Sequence, residues 1–473
     1  MSAVPAHPRP RPFDVVLICC SIAANALCAG GIFIFPLLSP ALALKLKLTQ
    51  PQLTTIVLAG MIGQYPFSAF VGKAIDRHGP AVCSLIAALL FSFAFRLFSV
   101  QVSAAQPEPT IECFRNLSFL FLLAGFGTVF SYFSSVFAAT KTFPMYPGIA
   151  SGTSMALFGL SPLLLSTIAT TYFISPITGL LDVPSFMDFL AYLTAFTHLV
   201  GFVVLRKVNS QPASSQDIAT PSDEQTPLLP PKLNANDNGS PILQDAQSTL
   251  DLLQDPEFWL LAFYCLLIFG ACEMVISNMG TIVLSLRPPS LSLTGTLSGP
   301  DHAIAKQIRL LSLANTISRV VMGPLADFLS PVGLDLTSRW MSRVVFLSLT
   351  SLLVTSSFLW TALFARAELD VWGLSVGIGA GYGATFTVLP SIIRAIWGEA
   401  NLGRNFGIVT YAPFVGTPLF SYLYAFISSS HMQVDDLCRG TACWSVTFTV
   451  CIGTSLLAFG ASCLLRRRWE GRL

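Results

Sequence analysis

Charged residues are scarce in this chain. Asp, Glu, Lys and Arg together make up only 11% of its 473 residues, whereas apolar residues make up 53%. Soluble proteins carry roughly 25% charged residues, which cover a hydrated surface. The shortage excludes a soluble globular protein and predicts a helical protein that crosses a lipid bilayer many times. The formal net charge is +2, and no basic stripe with interleaved aromatic residues is present, so we expect no nucleic-acid partner.

The sequence also lacks the patterns that hold metals or carry covalent chemistry. No Cys-x-x-Cys or Cys/His spacing indicates a zinc site, and no nucleophile–base pair points to catalysis, so we expect no enzyme, no metal and no cofactor. Most of the 11 cysteines lie in apolar runs, where they pack as small residues. Cys438 and Cys443 instead flank a polar loop sequence. They form a disulfide if that loop faces an oxidising lumen, and otherwise remain free thiols.

Twelve apolar runs, each long enough to cross a bilayer as a helix, follow one another along the chain. They cover 13–38, 53–71, 80–99, 114–139, 148–174, 186–205, 257–285, 304–326, 340–363, 370–392, 402–427 and 443–465. The polar stretch 206–256 has no aromatic residue and cannot bury a core, which predicts a disordered linker. We therefore expect a six-helix bundle over 13–205, a cytosolic linker over 206–256 and a second six-helix bundle over 257–466.

Two short motifs recur at nearly the same spacing in the two halves. Residues 72–76 resemble 323–327, with a glycine four residues before an aspartate in each. Residues 148–152 resemble 403–407, with a glycine at both ends of each. The offsets are 251 and 255 residues (323 − 72 and 407 − 152). A duplicated membrane unit is typical of secondary transporters.

The orientation follows from the placement of lysine and arginine, which are enriched on the cytosolic side of membrane proteins. With the N-terminus in the cytosol, sixteen of these residues lie in cytosolic segments and nine on the opposite side. The bias predicts that both termini are cytosolic.

The loop between the second and third runs contains a candidate gating motif, formed by Gly72, Asp76, Arg77 and Gly79. The glycines would let the helix ends approach closely. Asp76 is a candidate latch, whose carboxylate is stabilised in one conformation and released in another; the alternative is a solvated turn that only fixes topology. The second half keeps Gly323 and Asp327 but has Phe328 in place of the arginine, so we expect a weaker latch there.

Glu273 lies inside the seventh apolar run. A carboxyl at membrane depth costs free energy, so it should face a cavity or a partner. One interpretation is an acid that couples transport to protons or contacts the substrate. The other is a hydrogen bond between helices.

Four further polar residues are candidates for substrate or coupling contacts: Asn315, Arg319, Asn25 and Gln64. Asn315 and Arg319 are four residues apart and share one face of the eighth run. Arg319 is a candidate for holding an anionic substrate, with extension to the membrane interface as the alternative. Asn25 and Gln64, like His198, lie inside apolar runs and have packing hydrogen bonds as their alternative.

The predicted linker contains Glu224 four residues before the pair Leu228 and Leu229. This spacing is an acidic dileucine sorting pattern, which sorting adaptor proteins bind through charged and apolar contacts. A disordered cytosolic segment would leave the motif accessible to them.

Together these residues resemble the major facilitator superfamily. Gly72, Asp76, Arg77 and Gly79 match its loop motif, and the arrangement of six helices, linker and six helices covers nearly the whole chain. More narrowly, the chain resembles the fungal monocarboxylate-transporter-homologue group, which is related to nodulin-like proteins. The segments that carry this likeness are 253–259, 270–273, 278–280 and the spacing of Asn315, Arg319 and Gly323.

The resemblance implies an all-α membrane protein with 12 transmembrane helices in two six-helix bundles. It implies a secondary transporter that moves a small solute by alternating access, and the dileucine linker implies a vacuolar membrane. An organic anion as solute and protons as coupling ion are left open. Monocarboxylate carriers have an aspartate where this chain has Asn315, and a lysine in the first helix, where 13–38 has none. The alternative function is a non-transporting membrane sensor with a transporter fold.

Overall fold

The computed structural model describes residues 12–104, 111–143, 147–175, 180–209, 249–287, 300–330, 341–398, 402–432 and 438–470. These residues fold almost entirely into α-helices. In chain order they are α1 (Pro12–Cys28), α2 (Phe35–Leu46), α3 (Gln50–Ile62), α4 (Ser68–Ala104), α5 (Ile111–Thr142), α6 (Pro147–Tyr172), α7 (Val183–Asn209), α8 (Thr249–Gln254), α9 (Pro256–Ser285), α10 (Pro300–Leu329), α11 (Val344–Phe364), α12 (Trp372–Trp397), α13 (Leu402–Val409), α14 (Tyr411–Ser430) and α15 (Ser445–Arg468).

Within the described residues these helices make twelve crossings of the bundle. A 3-10 turn at Gly31–Ile34 joins α1 and α2 into the first crossing. The second consists of α3 and the start of α4, and the third is the rest of α4, because Gly79 interrupts that helix with a φ of 77°. The eleventh consists of α13 and α14, the short α8 precedes α9, and every other helix is one crossing. The predicted all-α protein with twelve crossings is confirmed.

Ten segments of the described chain are long and apolar enough to span a membrane. The other two crossings fall short for different reasons. The second is broken into two pieces, and α10 carries several charged residues, including Lys306, Arg309 and Arg319. The protein is therefore a multi-pass membrane protein whose eighth crossing is unusually polar.

The first crossing is longer than predicted. It continues to Leu46, because Pro36 lies in the first turn of α2, where proline is tolerated. The helix ends there because the next residue, Lys47, has a left-handed backbone with a φ of 49°. Thr49 and Gln52 then form a capping box that begins α3.

The second crossing, predicted as one helix over 53–71, is interrupted between Ile62 and Ser68. Pro66 has no backbone N–H to continue the helical hydrogen bonds. The N–H of Tyr65 bonds the carbonyl of Ile62 at 3.4 Å, as in a turn. Ser68 then begins α4 and donates from its hydroxyl to the carbonyl of Tyr65 at 2.8 Å.

Both ends of the described chain lie at the same end of the bundle. Lys207 at the end of α7 forms an ion pair with Asp14 in α1 at 2.6 Å. Trp469 after α15 donates from its indole to Glu257 at the start of α9 at 2.5 Å. We call this the terminus end and the opposite end the far end. Residues 210–248, which include Glu224, Leu228 and Leu229, lie outside the described residues.

The two halves of the chain meet at the far end. The side-chain amide of Gln50 at the start of α3 donates to Asn278 in α9 at 3.0 Å. Thr55 and Tyr422 share a hydrogen bond of 2.9 Å between α3 and α14. Gly280 lies so close to Pro36 that an added Cβ would be 2.0 Å from its carbonyl oxygen. The structure therefore closes the path between the halves at this end.

Candidate functional site

Glu273 is fully buried where four crossings meet. Its Oε1 accepts hydrogen bonds from the hydroxyls of Tyr382 in α12, at 2.9 Å, and of Tyr65 in the break of the second crossing. Its Oε2 accepts from the hydroxyl of Thr417 in α14 at 2.5 Å. Tyr65 belongs to the first half of the chain and the other two donors to the second, so the carboxyl joins the halves.

Glycine contacts bring Thr417 to Glu273. An added Cβ at Gly416 would lie 2.4 Å from the carbonyl oxygen of Leu266, and one at Gly270 would lie 2.8 Å from the backbone of Gly416. The backbones of α9 and α14 are thus in direct contact, which only glycine permits. This contact brings Thr417, the residue after Gly416, within hydrogen-bond distance of the Glu273 carboxyl in α9.

Arg319 and Asn315 form the second part of the site. The guanidinium Nε of Arg319 donates to the side-chain oxygen of Asn315 at 2.9 Å, as their spacing on one helix face predicts. The guanidinium also lies 5.6 Å from the ring centre of Phe386. Gly383 of α12 allows Asn315 to fit, because an added Cβ there would be 2.6 Å from the Asn315 side-chain oxygen.

A cavity lies between the two halves beside these residues. Its lining is mostly apolar, and among the described residues Arg319 is the single charged member of the wall: Phe33, Phe158, Gly159, Pro162, Ile276, Met279, Ile308, Leu311, Ser312, Asn315, Arg319 and Tyr382. Tyr382 both lines the cavity and donates to Glu273. Glu273 is therefore not itself among the lining residues, and the side chain of Tyr382 connects it to the cavity.

Glu273 and Arg319 do not form a direct ion pair. Ion pairs among the described residues include Arg96 with Asp188, Lys207 with Asp14 and Arg287 with Glu368. Glu273 and Arg319 are instead connected through two aromatic residues. Tyr382 donates to Glu273, Arg319 lies over the ring of Phe386, and the ring centres of Tyr382 and Phe386 are 4.8 Å apart.

Comparison with known proteins identifies the family. The family model of the Major Facilitator Superfamily matches residues 19–411. The chain belongs to the major facilitator superfamily. This superfamily consists of secondary transporters built from two related six-helix halves, which agrees with the twelve crossings described above.

The chain is similar over almost its whole length to curated fungal proteins that are named as probable transporters. A "Probable transporter MCH1" of Gibberella zeae is 28% identical over 98% of this chain and 91% of the relative. Proteins of the same name from Wickerhamomyces anomalus and Saccharomyces cerevisiae are 28% and 25% identical, covering 91% and 93% of this chain and 83% and 89% of theirs.

Two solved structures share the fold of this superfamily member. One is a bacterial homolog of the human lysosomal transporter Spinster, in an inward-facing and unoccupied conformation. It has a TM-score of 0.62 and 12% identity, over 98% of this chain and 99% of that one. The other is a D-xylose–proton symporter with a TM-score of 0.61 and 14% identity, over 94% and 97% of the two chains.

Asn25 lies in a polar network inside the first half of this superfamily member. Its amide donates to the Ser84 hydroxyl at 3.0 Å, and that hydroxyl donates to the His198 carbonyl at 2.8 Å. The His198 Nε2 is 2.6 Å from the Ser131 hydroxyl. Gly201 leaves room for Asn25, since an added Cβ would be 2.5 Å from its amide nitrogen. Asn25 is not among the cavity-lining residues, and its contacts favour the packing interpretation.

Gln64 lies in the break of the second crossing, next to Tyr65. Its amide nitrogen is buried and has no hydrogen-bond partner among the described residues. An unpaired buried donor costs free energy, but Gln64, like Asn25, is not among the cavity-lining residues.

The glycines of the candidate gating motif do not make the expected close contacts. An added Cβ at Gly72 would be 3.8 Å from Phe133, and one at Gly323 would be 3.8 Å from Thr387, which are ordinary contact distances. Gly79 is needed for its positive φ of 77° instead. Arg77 is exposed, and the side chains of Asp76 and Asp327 lie outside the described residues.

Cys438 and Cys443 are joined by a disulfide at the far end. Within the same loop, the N–H of Gly440 donates to the Ser285 carbonyl at the end of α9 at 2.6 Å. The loop before α15 is thus attached to α9. In the described part of the chain, no group of three His, Cys, Asp or Glu residues could hold a metal ion.

Proposed function

We propose that this chain moves a small solute across its membrane by alternating access, with the solute held in the cavity between the two halves. The observation that carries the proposal is the buried Glu273, which accepts hydrogen bonds from both halves and contacts the cavity through Tyr382. An ionisable residue persists at such depth where its charge or its proton is used. The family supports transport as the overall activity.

Each charged residue of the site then has a role. Arg319 binds an anionic group of the solute, because it is the cation that the described part of the cavity wall presents and it offers a planar fork of donors. Asn315 holds the guanidinium in place through its 2.9 Å hydrogen bond. Glu273 takes up and releases the proton that drives transport. The solute class that fits these contacts is a small organic anion with an apolar body.

Purified protein in lipid vesicles tests the function. A panel of radiolabelled organic acids, sugars and amino acids would be offered with and without an imposed pH gradient. We expect at least one organic anion to accumulate, and to accumulate more with the gradient. If no member of a broad metabolite panel moves, the alternative of a non-transporting membrane sensor is favoured.

Replacement of Arg319 with glutamine should reduce uptake of the identified anion at least about tenfold, because a hydrogen bond to a charged group contributes roughly 1.5–3 kcal/mol. Arg319→Lys should retain part of the uptake, since it keeps the charge but not the fork. Initial rates at several solute concentrations measure both effects.

Arg309→Gln is the matched control for Arg319. Arg309 lies on the same helix, but its guanidinium donates to the Thr170 hydroxyl, and the residue is not among those that line the cavity. The control should keep the affinity for the anion. Equal losses of affinity in the Arg309 and Arg319 variants would remove Arg319 from the solute site.

We further propose that the protein lies in the vacuolar membrane with both termini in the cytosol. The excess of lysine and arginine on the predicted cytosolic segments supports the orientation. The dileucine motif of Glu224, Leu228 and Leu229 supports sorting by adaptor proteins.

Replacement of Leu228 and Leu229 with alanine should move a tagged protein from the vacuolar membrane to another membrane. The apolar contacts with the adaptor would be lost while the folded halves stay unchanged. Imaging in fungal cells measures this. Ile242→Ala with Leu243→Ala is the control, because this apolar pair of the same segment has no acidic residue four positions before it. An unchanged vacuolar signal in the Leu228 and Leu229 variant would end the sorting role.

A further inference from the structure

The break in the second crossing separates two pieces with different attachments. The first piece, α3, is fixed at the far end, where Gln50 bonds Asn278. Its end packs on α5, because an added Cβ at Gly125 would lie only 2.1 Å from the Gly60 carbonyl oxygen. The second piece is the start of α4, which leads to Gly72 and Gly79 at the terminus end.

Tyr65 lies at the junction of these two pieces. Its backbone carbonyl accepts from the Ser68 hydroxyl that begins α4. Its side-chain hydroxyl leaves the first half of the chain and donates to Glu273 in the second half. The break in the helix thus places one tyrosine hydroxyl as a bridge between the halves at the buried acid.

The three hydroxyls around Glu273 are not equivalent. Tyr382 and Thr417 belong to the same half as the carboxyl, so their bonds can persist when the halves move relative to each other. The bond from Tyr65 crosses between the halves and must stretch or break if they separate. The Tyr65 hydroxyl is therefore the donor whose bond depends on the relative position of the halves.

We propose that Tyr65 is a positioning residue, whose hydrogen bond to Glu273 stabilises the conformation closed at the far end. This inference rests on the alternating access proposed above. In this role the helix break connects Glu273 to the start of α4, the segment that carries the candidate gating motif. Loss of the Tyr65 hydroxyl should shift the protein toward conformations in which the far end is open.

Cysteine crosslinking across the far end measures this shift without a solute. The pair Gln50→Cys and Asn278→Cys is introduced into the full-length protein, since these side chains are in hydrogen-bond contact when the far end is closed. The rate at which an added bifunctional thiol reagent, long enough to replace the lost side-chain length, links the two peptides is read by mass spectrometry. Adding Tyr65→Phe should lower the closed-to-open ratio about tenfold, because a hydrogen bond to a charged group is lost from the closed conformation, and should therefore slow crosslinking.

Two controls separate this role from general loosening. Tyr382→Phe also removes a hydroxyl that donates to Oε1 of Glu273, but Tyr382 belongs to the same half as Glu273. It should leave the crosslinking rate across the far end within about twofold of the parent. The pair Ser348→Cys and Ser462→Cys lies within the second half, where the two hydroxyls are 2.8 Å apart, and its crosslinking should not respond to Tyr65→Phe.

The proposal is overturned if Tyr65→Phe leaves the crosslinking rate across the far end unchanged. It is also overturned if Tyr65→Phe and Tyr382→Phe slow that rate equally, or if the pair within the second half slows as well. A failure of the vesicle assay to find a moving solute is a separate result, because crosslinking reports conformation alone.

Discussion

Glu273→Gln should abolish the dependence of uptake on a pH gradient, while Glu273→Asp should retain part of it. Glutamine keeps the shape of the side chain but cannot take up or release a proton. Its side-chain oxygen can still accept from Tyr65 and Tyr382, and the Thr417 hydroxyl can rotate to accept from the new amide. The packing around the residue should therefore survive while the proton chemistry is lost.

The alternative role, a hydrogen bond between helices, predicts the opposite order of the two variants. Glutamine would then be tolerated. Aspartate, one methylene shorter, would fail because it cannot reach donors on three surrounding crossings at once. Uptake at several external pH values, with the amount and melting temperature of each protein as controls, separates the two roles. Full pH-dependent uptake by Glu273→Gln would leave Arg319 as the charged residue that matters.

The charged members of the site were predictable from the sequence. Glu273 and Arg319 stand out because ionisable residues inside apolar runs are rare and costly. The four-residue spacing of Asn315 and Arg319 predicts that they share a helix face, and the structure shows their hydrogen bond. Length and apolarity also predicted the twelve crossings, since a bilayer fixes the length of a spanning helix.

The hydroxyl groups that complete the site were not predictable in the same way. Tyrosine and threonine are common in membrane helices, so nothing in the local pattern marks Tyr65 or Thr417. A signal for Thr417 lay in the glycine before it, since Gly416 and Gly270 permit the close contact of α9 and α14. That signal becomes specific only when the two helices are known to be neighbours.

The break in the second crossing and the contact at the far end needed the structure as well. Hydropathy depends on the side chains, so it does not report that the helical backbone is interrupted near Pro66. The hydrogen bond between Gln50 and Asn278 joins residues 228 positions apart, and no local pattern reports such a pair. Asn25 shows the opposite limit: a polar residue in an apolar run marks a buried contact, but not whether the contact is a solute or a neighbouring helix.

Gly416→Ala should destabilise the protein strongly and should disturb the site at the same time. The added methyl group would lie 2.4 Å from the Leu266 carbonyl oxygen, so α14 must move away from α9. Such overpacking costs typically about 1–3 kcal/mol, and the movement would carry Thr417 away from Glu273. We expect a lower melting temperature of the purified protein in detergent, together with reduced uptake of the identified solute.

Gly453→Ala in α15 is the matched control, because an added Cβ there meets no atom within 4 Å. The same substitution in an open helix position should be neutral or slightly stabilising, since alanine favours a helix over glycine by roughly 1 kcal/mol. The comparison isolates the contact from the change in helix propensity. If both variants melt at the wild-type temperature, the backbone contact of α9 and α14 does not hold the Glu273 site together, and the position of Thr417 must depend on other parts of α14.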